Sequence, residues 1–371
     1  MSRENLLILV PTYDEAENIE KLLTAIFDLY PQREVSGVSV LVIDDNSPDG
    51  TAAIVEGLMG KYEGRLHLLK RAGKAGLAKA YLAGFEWGLE RGFGEFLEMD
   101  ADLSHDPKYL PEMIAQIQSH DVAIGSRNVK GGGAEGWPFS RTLISKGGSL
   151  YARAVLGCPI KDLTGGFNMW TAEALEKIGL DRIISQGYLF QVEMKYRAWK
   201  AGCSVKEIPI IFRDRTLGAS KMSKKILFEA LLKVWDVRLS AAGATGEFLK
   251  FAIVGALGAA TNLLLFFALV DLLGLAAIPV SVGCFWVAGT QNYALNGKWT
   301  FAGASAKLSV KKWLAFLAAS LVGLGANLAV MQAMISLLNL PFKFIAQACG
   351  IVAGMALNFV FSKFLVFRKK A

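Results

Sequence analysis

The stretch EFLEMDADLSHDP, residues 95–107, decides how the first part of the chain is read. Phe96, Leu97 and Met99 have the apolar character of a buried strand, and the run ends in two carboxylates one residue apart, Asp100 and Asp102. Two like charges that close repel unless a cation sits between them. The stretch is therefore either a site for a hard metal, which takes oxygen ligands, or an acidic loop after a strand. Its neighbours have to decide.

Upstream, strand and helix signals alternate. NLLILVPTY (5–13) is a short apolar run, NIEKLLTAIFDLY (18–30) has helical periodicity, and VSVLVIDDNSPDGT (38–51) is a second apolar run ending in acids. RLHLLKRAGKAGLAKAYLAGFEWGL (65–89) supplies a third strand, a Gly-rich turn and a helix. Such alternation predicts a parallel sheet with helices on both faces, and ligands of these sheets bind at the carboxyl ends of the strands. Tyr13 and Glu15 follow the first strand, Asp44, Asp45 and Asp49 the second, and Lys74 sits in the Gly-flanked turn. Taken singly, an acidic N-cap or a turn rich in Asp, Ser and Gly explains each equally well. Lys74 and the backbone N–H groups around it suit a phosphate, although no GxxxxGK[ST] loop is present.

Downstream, the segment 124–157 holds a triglycine loop, 131–133, between Arg127 and Arg141. Glycine lets such a loop move over a substrate. Arg127, Arg141, Ser145 and Lys146 make a cationic set suited to a phosphate, which arginine can grip bidentately; solvated surface charge is the alternative. His105 is read as a capping or surface residue.

Composition bounds the rest. The 371 residues are 53% hydrophobic with mean hydropathy +0.36, and the apolar excess lies late in the chain. Between residues 251 and 362 the only charges are Asp271, Lys298, Lys307, Lys311, Lys312 and Lys343. Four runs, 251–270, 272–297, 313–342 and 344–362, approach or exceed the roughly 20 residues that cross a bilayer core. Lysines between the second and third runs, and Lys363, Arg368, Lys369 and Lys370 after the fourth, place both termini on the cytoplasmic side by the positive-inside rule. The start of the chain has no signal-peptide pattern, in agreement. An internal repeat is visible: FLKFAIVGALGAATN ending at Asn262 matches WLAFLAASLVGLGAN ending at Asn327, and NYALNGKWTF from Asn292 matches NFVFSKFLVF from Asn358. Asn262, Gln291, Asn292, Asn327 and Asn358 are expected to hydrogen-bond between helices. KMSKKILFEALLKVWDVRLS (221–240) reads either as an interfacial amphipathic helix or as a helix packed on the first domain. Four scattered cysteines exclude a disulfide framework and a zinc site, and three histidines make His-based catalysis a poor fit. The net charge of +7 is explained by basic residues beside membrane segments rather than by nucleic acid.

In series, PxYxE, DDxSxDGT, GKxGLxxA and DADLSHDP resemble family-two glycosyltransferases of the GT-A fold and, more narrowly, the dolichyl-phosphate mannose synthase-like polyprenyl-phosphate glycosyltransferases. The late part resembles the GtrA-like four-helix membrane family. The resemblance implies an α/β GT-A (Rossmann-like) catalytic domain over 1–217, juxtamembrane amphipathic helices over 218–246, and an all-α domain with four transmembrane helices over 247–371. It further implies that Pro11, Tyr13, Glu15, Ile43, Asp45, Lys74, Ala101, Arg213 and Lys221 bind the donor with Asp100 and Asp102. Arg127, Arg141 and Ser145 would take the acceptor phosphate, with Asp100, Asp102 and Arg127 the catalytic set. Asp162, Gln191 and Glu193 resemble family segments near the sugar. Mg2+ or Mn2+ is expected on Asp100 and Asp102, with Ser104 standing where many relatives have Gln. The implied reaction moves mannose from GDP-mannose to dolichyl or another polyprenyl phosphate at the cytoplasmic face of a lipid bilayer. Three alternatives stand beside it: a UDP-glucose-dependent polyprenyl-phosphate glucosyltransferase, a lipid-linked sugar translocation module, and a processive polysaccharide synthase. The last would need QxxRW; QVEMKYRAWKAG (191–202) separates Gln191 from Arg197 too widely and puts Ala198 before the Trp.

Overall fold

The computed structural model describes residues 5–31, 37–213, 224–301, 309–338 and 343–368. The chain divides into two compact units, Met1–Arg238 and Leu239–Ala371.

Strands β1 (Leu6–Thr12) and β2 (Val38–Asp44) are buried almost throughout, as continuous Val/Ile/Leu runs in a sheet covered on both faces must be. With β3 (Leu66–Lys70), β4 (Glu95–Glu98), β5 (Val122–Ser126), β7 (Asn168–Thr171) and β8 (Val205–Pro209) they form one sheet in the order β3-β2-β1-β4-β7-β5-β8. A short ribbon pairs β6 (Gly133–Glu135) with β9 (Ile211–Arg213). The helices α1 (Ile19–Leu29), α2 (Thr51–Met59) and α3 (Leu77–Leu89) return the chain between the first four strands. α1 turns Ile19, Leu22, Leu23, Ile26 and Phe27 inward, each burial worth about 2 kcal/mol, so a charge at Leu22 would break this layer.

The sheet departs from the expected parallel arrangement at one strand. β7 runs antiparallel to both β4 and β5. The long connection from β5, through β6 and the helix Phe139–Leu156, delivers the chain to the opposite end of the sheet, so β7 (Asn168–Thr171) enters between β4 and β5 in the reverse direction.

In the second unit the helices Gly243–Phe266, Ala277–Leu295, Val310–Leu338 and Lys343–Phe361 form two hairpins. Among the described residues three spans are long and apolar enough to cross a membrane: Gly243–Leu272, Val310–Ser336 and Cys349–Val366. The helix Ala277–Leu295 is not among them and carries Thr290, Gln291 and Asn292 near its end. The sequence repeat is a structural one. Wide π-helical turns, Asn296–Thr300 and Ser362–Val366, end equivalent helices. Each is closed by a 2.8 Å bond, from Phe301 N to Asn296 O and from Phe367 N to Ser362 O. Phe301 and Phe367 then stack at 5.0 Å.

The expected interhelical amide bonds form only in part. Gln291 accepts from Thr261 at 2.9 Å, but Asn292, Asn327 and Asn358 leave buried carbonyl oxygens without a hydrogen-bond partner. The amides of Asn292 and Asn358 lie against Gly258 and Gly323 instead, and Asn327 brings its side-chain and backbone oxygens to Gly350. Close backbone approach takes the place of the hydrogen bond.

Candidate active site

The carboxyl ends of β1, β2 and β4 meet at one edge of the first unit, and each runs into a loop with one left-handed non-glycine residue: Asp14 (φ 62°), Asn46 (φ 59°) and Leu103 (φ 61°). A left-handed leucine costs about 1–2 kcal/mol, strain of the kind that collects at functional loops. Polar contacts fix the first two loops to each other. Thr12 donates to Asp44 at 3.1 Å, Asp14 N to Ser47 at 3.2 Å, Glu15 N to Thr51 at 3.1 Å and Ala16 N to Asp49 at 2.8 Å.

Pro11 and Ile43 are register partners in neighbouring strands, so the expected donor residues of both segments lie together. Asp45 is engaged on both oxygens, by Arg71 at 2.7 Å and by Ala75 N at 3.3 Å. Lys74, expected at a phosphate, sits 3.8 Å over the Tyr13 ring, a cation–π contact that ties its turn to the loop after β1. Arg71 was not anticipated; its position three residues before Lys74 is the only sequence signal for it.

In the acidic loop, Asp100 N donates to His105 Nδ1 at 3.1 Å and Ser104 N to Asp102 Oδ1 at 3.1 Å. Ala101 is buried, and the Ser104 hydroxyl is buried without a hydrogen-bond partner. His105 is no surface residue. It is 3% exposed and stacked on Phe167 at 5.0 Å. Burial holds its pKa below the usual imidazole value against the opposing pull of Asp100 and Asp102, which leaves a neutral ring accepting the Asp100 N–H. Arg213 N donates to Ser104 O at 3.4 Å, bringing β9 to this loop. Lys221 lies outside the described residues.

Arg127 directly follows β5, and Arg141 lies on the helix Phe139–Leu156 with Ser145 one turn further along the same face. The two guanidinium groups converge on one indole: Arg141 lies 4.4 Å and Arg127 5.5 Å from the Trp137 ring. Gly132 permits this, since a Cβ there would strike the Ser126 carbonyl and the Arg127 backbone. Trp137 meets Phe212 edge-on at 5.3 Å, and Phe212 meets His105 at 5.5 Å. An aromatic chain thus runs from the carboxylate loop to the arginines.

Two expected sugar-side residues have other tasks. Asp162 receives Arg127 N at 2.9 Å, Nε at 2.8 Å and Nη2 at 2.8 Å. Burial alone would raise its pKa, but the Arg127 bonds and charge outweigh it and hold it well below the usual carboxylate range. Glu193 is fully buried and takes Ile184 N, Ser185 N and Arg197, closing a loop. Gln191 instead joins a buried group that the sequence hid: Glu98 accepts from Asn168 at 2.8 Å, Trp170 at 3.1 Å and Gln191 at 3.1 Å. Burial raises Glu98 to about 7 despite these donors.

Among described residues no group of three or more His, Cys, Asp or Glu is placed to hold a metal. The oxygen set of Asp100, Asp102 and the buried Ser104 hydroxyl is the arrangement that fits a hard cation sharing its shell with substrate phosphates.

Residues 7–179 match the family model for glycosyl transferase family 2, and residues 250–367 match that for the GtrA/DPMS transmembrane domain. A polyprenol monophosphomannose synthase of Mycolicibacterium smegmatis is 44% identical over 62% of this chain and 87% of its own. An undecaprenyl-phosphate mannosyltransferase of Micrococcus luteus is 44% identical over 62% of this chain and 91% of its own. A dolichol-phosphate mannosyltransferase of Pyrococcus furiosus is 31% identical over 96% of this chain and 97% of its own.

Proposed function

The chain belongs to the family-two glycosyltransferases joined to a GtrA/DPMS transmembrane domain, and on that premise we propose that it transfers mannose from GDP-mannose to a polyprenyl phosphate of the dolichyl type. The observation that carries this reading is the aromatic chain His105–Phe212–Trp137, which joins the acidic loop to two arginines in one unit. A donor diphosphate and an acceptor phosphate need that combination: oxygens for a metal on one side and paired guanidinium groups on the other. The mannosyl and polyprenyl assignments come from relatives of these names at 44% identity.

Tyr13, Asp45 and Lys74 hold the nucleoside end, and Arg213 and Lys221 the diphosphate. Mg2+ or Mn2+ bound by Asp100, Asp102 and Ser104 would neutralise the charge of the departing nucleoside diphosphate. Arg127, Arg141 and Ser145 place the acceptor phosphate and screen its repulsion from the donor. Its oxygen is anionic near neutral pH, so attack on the anomeric carbon, with inversion, needs no general base. The one nearby imidazole, His105, is accordingly free to serve as backbone support. The spans of the second unit keep the enzyme at the bilayer where its lipid acceptor resides, and the lysine distribution supports a site on the cytoplasmic face.

The test is transfer from radiolabelled GDP-mannose to dolichyl phosphate in vesicles, with UDP-glucose run in parallel. Metal-dependent appearance of mannose in the organic phase is expected. Transfer from UDP-glucose alone would replace the donor assignment, and no transfer from either would overturn the reading.

A further inference from the structure

Lys195 lies in the middle of the helix Tyr188–Lys200 and is fully buried. Its ammonium donates to two main-chain carbonyls, Asp162 O at 2.9 Å and Gly165 O at 2.7 Å. These carbonyls bracket the turn 162–165, which closes on itself where Gly165 N donates to the Asp162 carboxylate at 3.0 Å. The turn carries both side chains that hold Arg127: the Asp162 carboxylate, and Thr164, whose hydroxyl accepts from Arg127 Nη2 at 3.0 Å. An ammonium with no water around it costs several kcal/mol, and burial pushes Lys195 down to about 8. An apolar residue would fill this helix position at lower cost, so the retained charge calls for a reason outside packing.

The same turn is reached from the opposite side. Asn168 donates to Gly165 O at 3.3 Å, to Gln191 at 2.8 Å and to Glu98 at 2.8 Å. Glu98 ends β4, two residues before Asp100. A buried polar chain therefore runs from the strand that carries the carboxylate pair, through the turn that Lys195 grips, to Arg127.

We propose that Lys195 is a positioning residue for the acceptor phosphate: by gripping both ends of the 162–165 turn it aims the Asp162 clamp and, through it, the Arg127 guanidinium. Of the five N–H donors of arginine, the described contacts take Nε and the Nη2 pair. The Nη1 pair remains to meet a phosphate, and its direction follows from how the clamp is set. This inference rests on the reading of Arg127 as an acceptor-phosphate ligand.

The full-length chain in vesicles, with radiolabelled GDP-mannose and polyprenyl phosphate varied in turn, tests it. Lys195→Met keeps the length of the side chain and removes the charge. The KM for polyprenyl phosphate is expected to rise about tenfold, the size of one lost charge-assisted hydrogen bond, while the KM for GDP-mannose holds. In an Arg127→Ala background the same substitution should move the acceptor KM no further, because the group it aims is gone. Equal losses on both substrates, or effects that simply add in the double variant, would overturn the proposal, since a merely structural lysine behaves that way. Should the Met variant not fold, Lys195→Gln, which keeps one donor for the turn, decides between a raised acceptor KM and an unchanged one. Wild-type protein that transfers nothing to polyprenyl phosphate refutes the function proposed above. Active wild type with an unaffected Lys195 variant refutes only the role of Lys195.

Discussion

Asp162→Asn removes one charge from a place where nothing can replace it. The carboxylate takes three N–H donors from Arg127 at 2.8–2.9 Å and a fourth from Gly165 at 3.0 Å. An amide keeps one acceptor oxygen and points two donors at these donors. Asp162 is fully buried and the Arg127 side chain is only 12% exposed, so water cannot take over. Breaking a buried pair from one side costs about 3–5 kcal/mol, and the slight exposure of Arg127 favours the low end, about 3 kcal/mol. In a unit the size of Met1–Arg238, each kcal/mol moves Tm by about 2–4 °C, which gives a fall of about 6–12 °C. The assay is thermal unfolding of the detergent-solubilised protein, wild type against variant, followed by tryptophan fluorescence. Its pH dependence has a defined sign. A carboxylate held low in the fold stabilises fully above its unfolded value and loses that contribution as pH falls toward its folded one. The gap should therefore be constant from neutral pH down to about 4 and narrow only below it. A fall under about 2 °C, or a gap that closes already between pH 5 and 7, would refute the reasoning.

Asp102→Asn should lower mannosyl transfer at least about a hundredfold and abolish the rise in Tm expected of the wild type with Mn2+ and GDP; a retained Mn2+ shift would remove Asp102 from the metal site. Arg71→Ala strips Asp45 of its 2.7 Å partner and should raise the KM for GDP-mannose about tenfold with the acceptor KM unchanged, as read from initial rates. Gly323→Val drives a side chain into the Asn358 amide and should destabilise the membrane unit by about 1–3 kcal/mol, seen as lower yield and Tm. Asn358→Ala in the same chain should recover part of that loss, and no recovery would show the contact to be incidental.

The strand ends were legible because their signals are local. An apolar run that stops in acids, followed by helical periodicity, is visible within fifteen residues, and so Tyr13, Asp45 and Asp100 could be singled out before their geometry was known. The hairpin repeat of the second unit was legible for the same reason. What stayed hidden depends on partners far apart in the chain. Glu98 and Gln191 are separated by 93 positions and Arg127 and Asp162 by 35, and nothing in EFLEMD marks Glu98 as the buried acid. Lys195, in a helix whose sequence looks as polar as any surface helix, gives no sign of its burial. His105 was misplaced because the aromatic rings that enclose it, Phe167 just before β7 and Phe212 in β9, are distant in sequence. Reversal of β7 was equally invisible, since four residues are too few to carry a direction.

That reversed strand bears on how the molecule comes to be made. β4 leaves the ribosome long before β7, and β5 precedes β7 as well, so both wait with an open flank where a foreign strand can pair. Glu98 turns an acid inward on β4, which is costly for any newcomer that lacks donors to meet it. β7 brings its own, Asn168 at 2.8 Å and Trp170 at 3.1 Å. A strand without those donors would leave the Glu98 carboxylate buried and unmet, so the place between β4 and β5 is selective for β7.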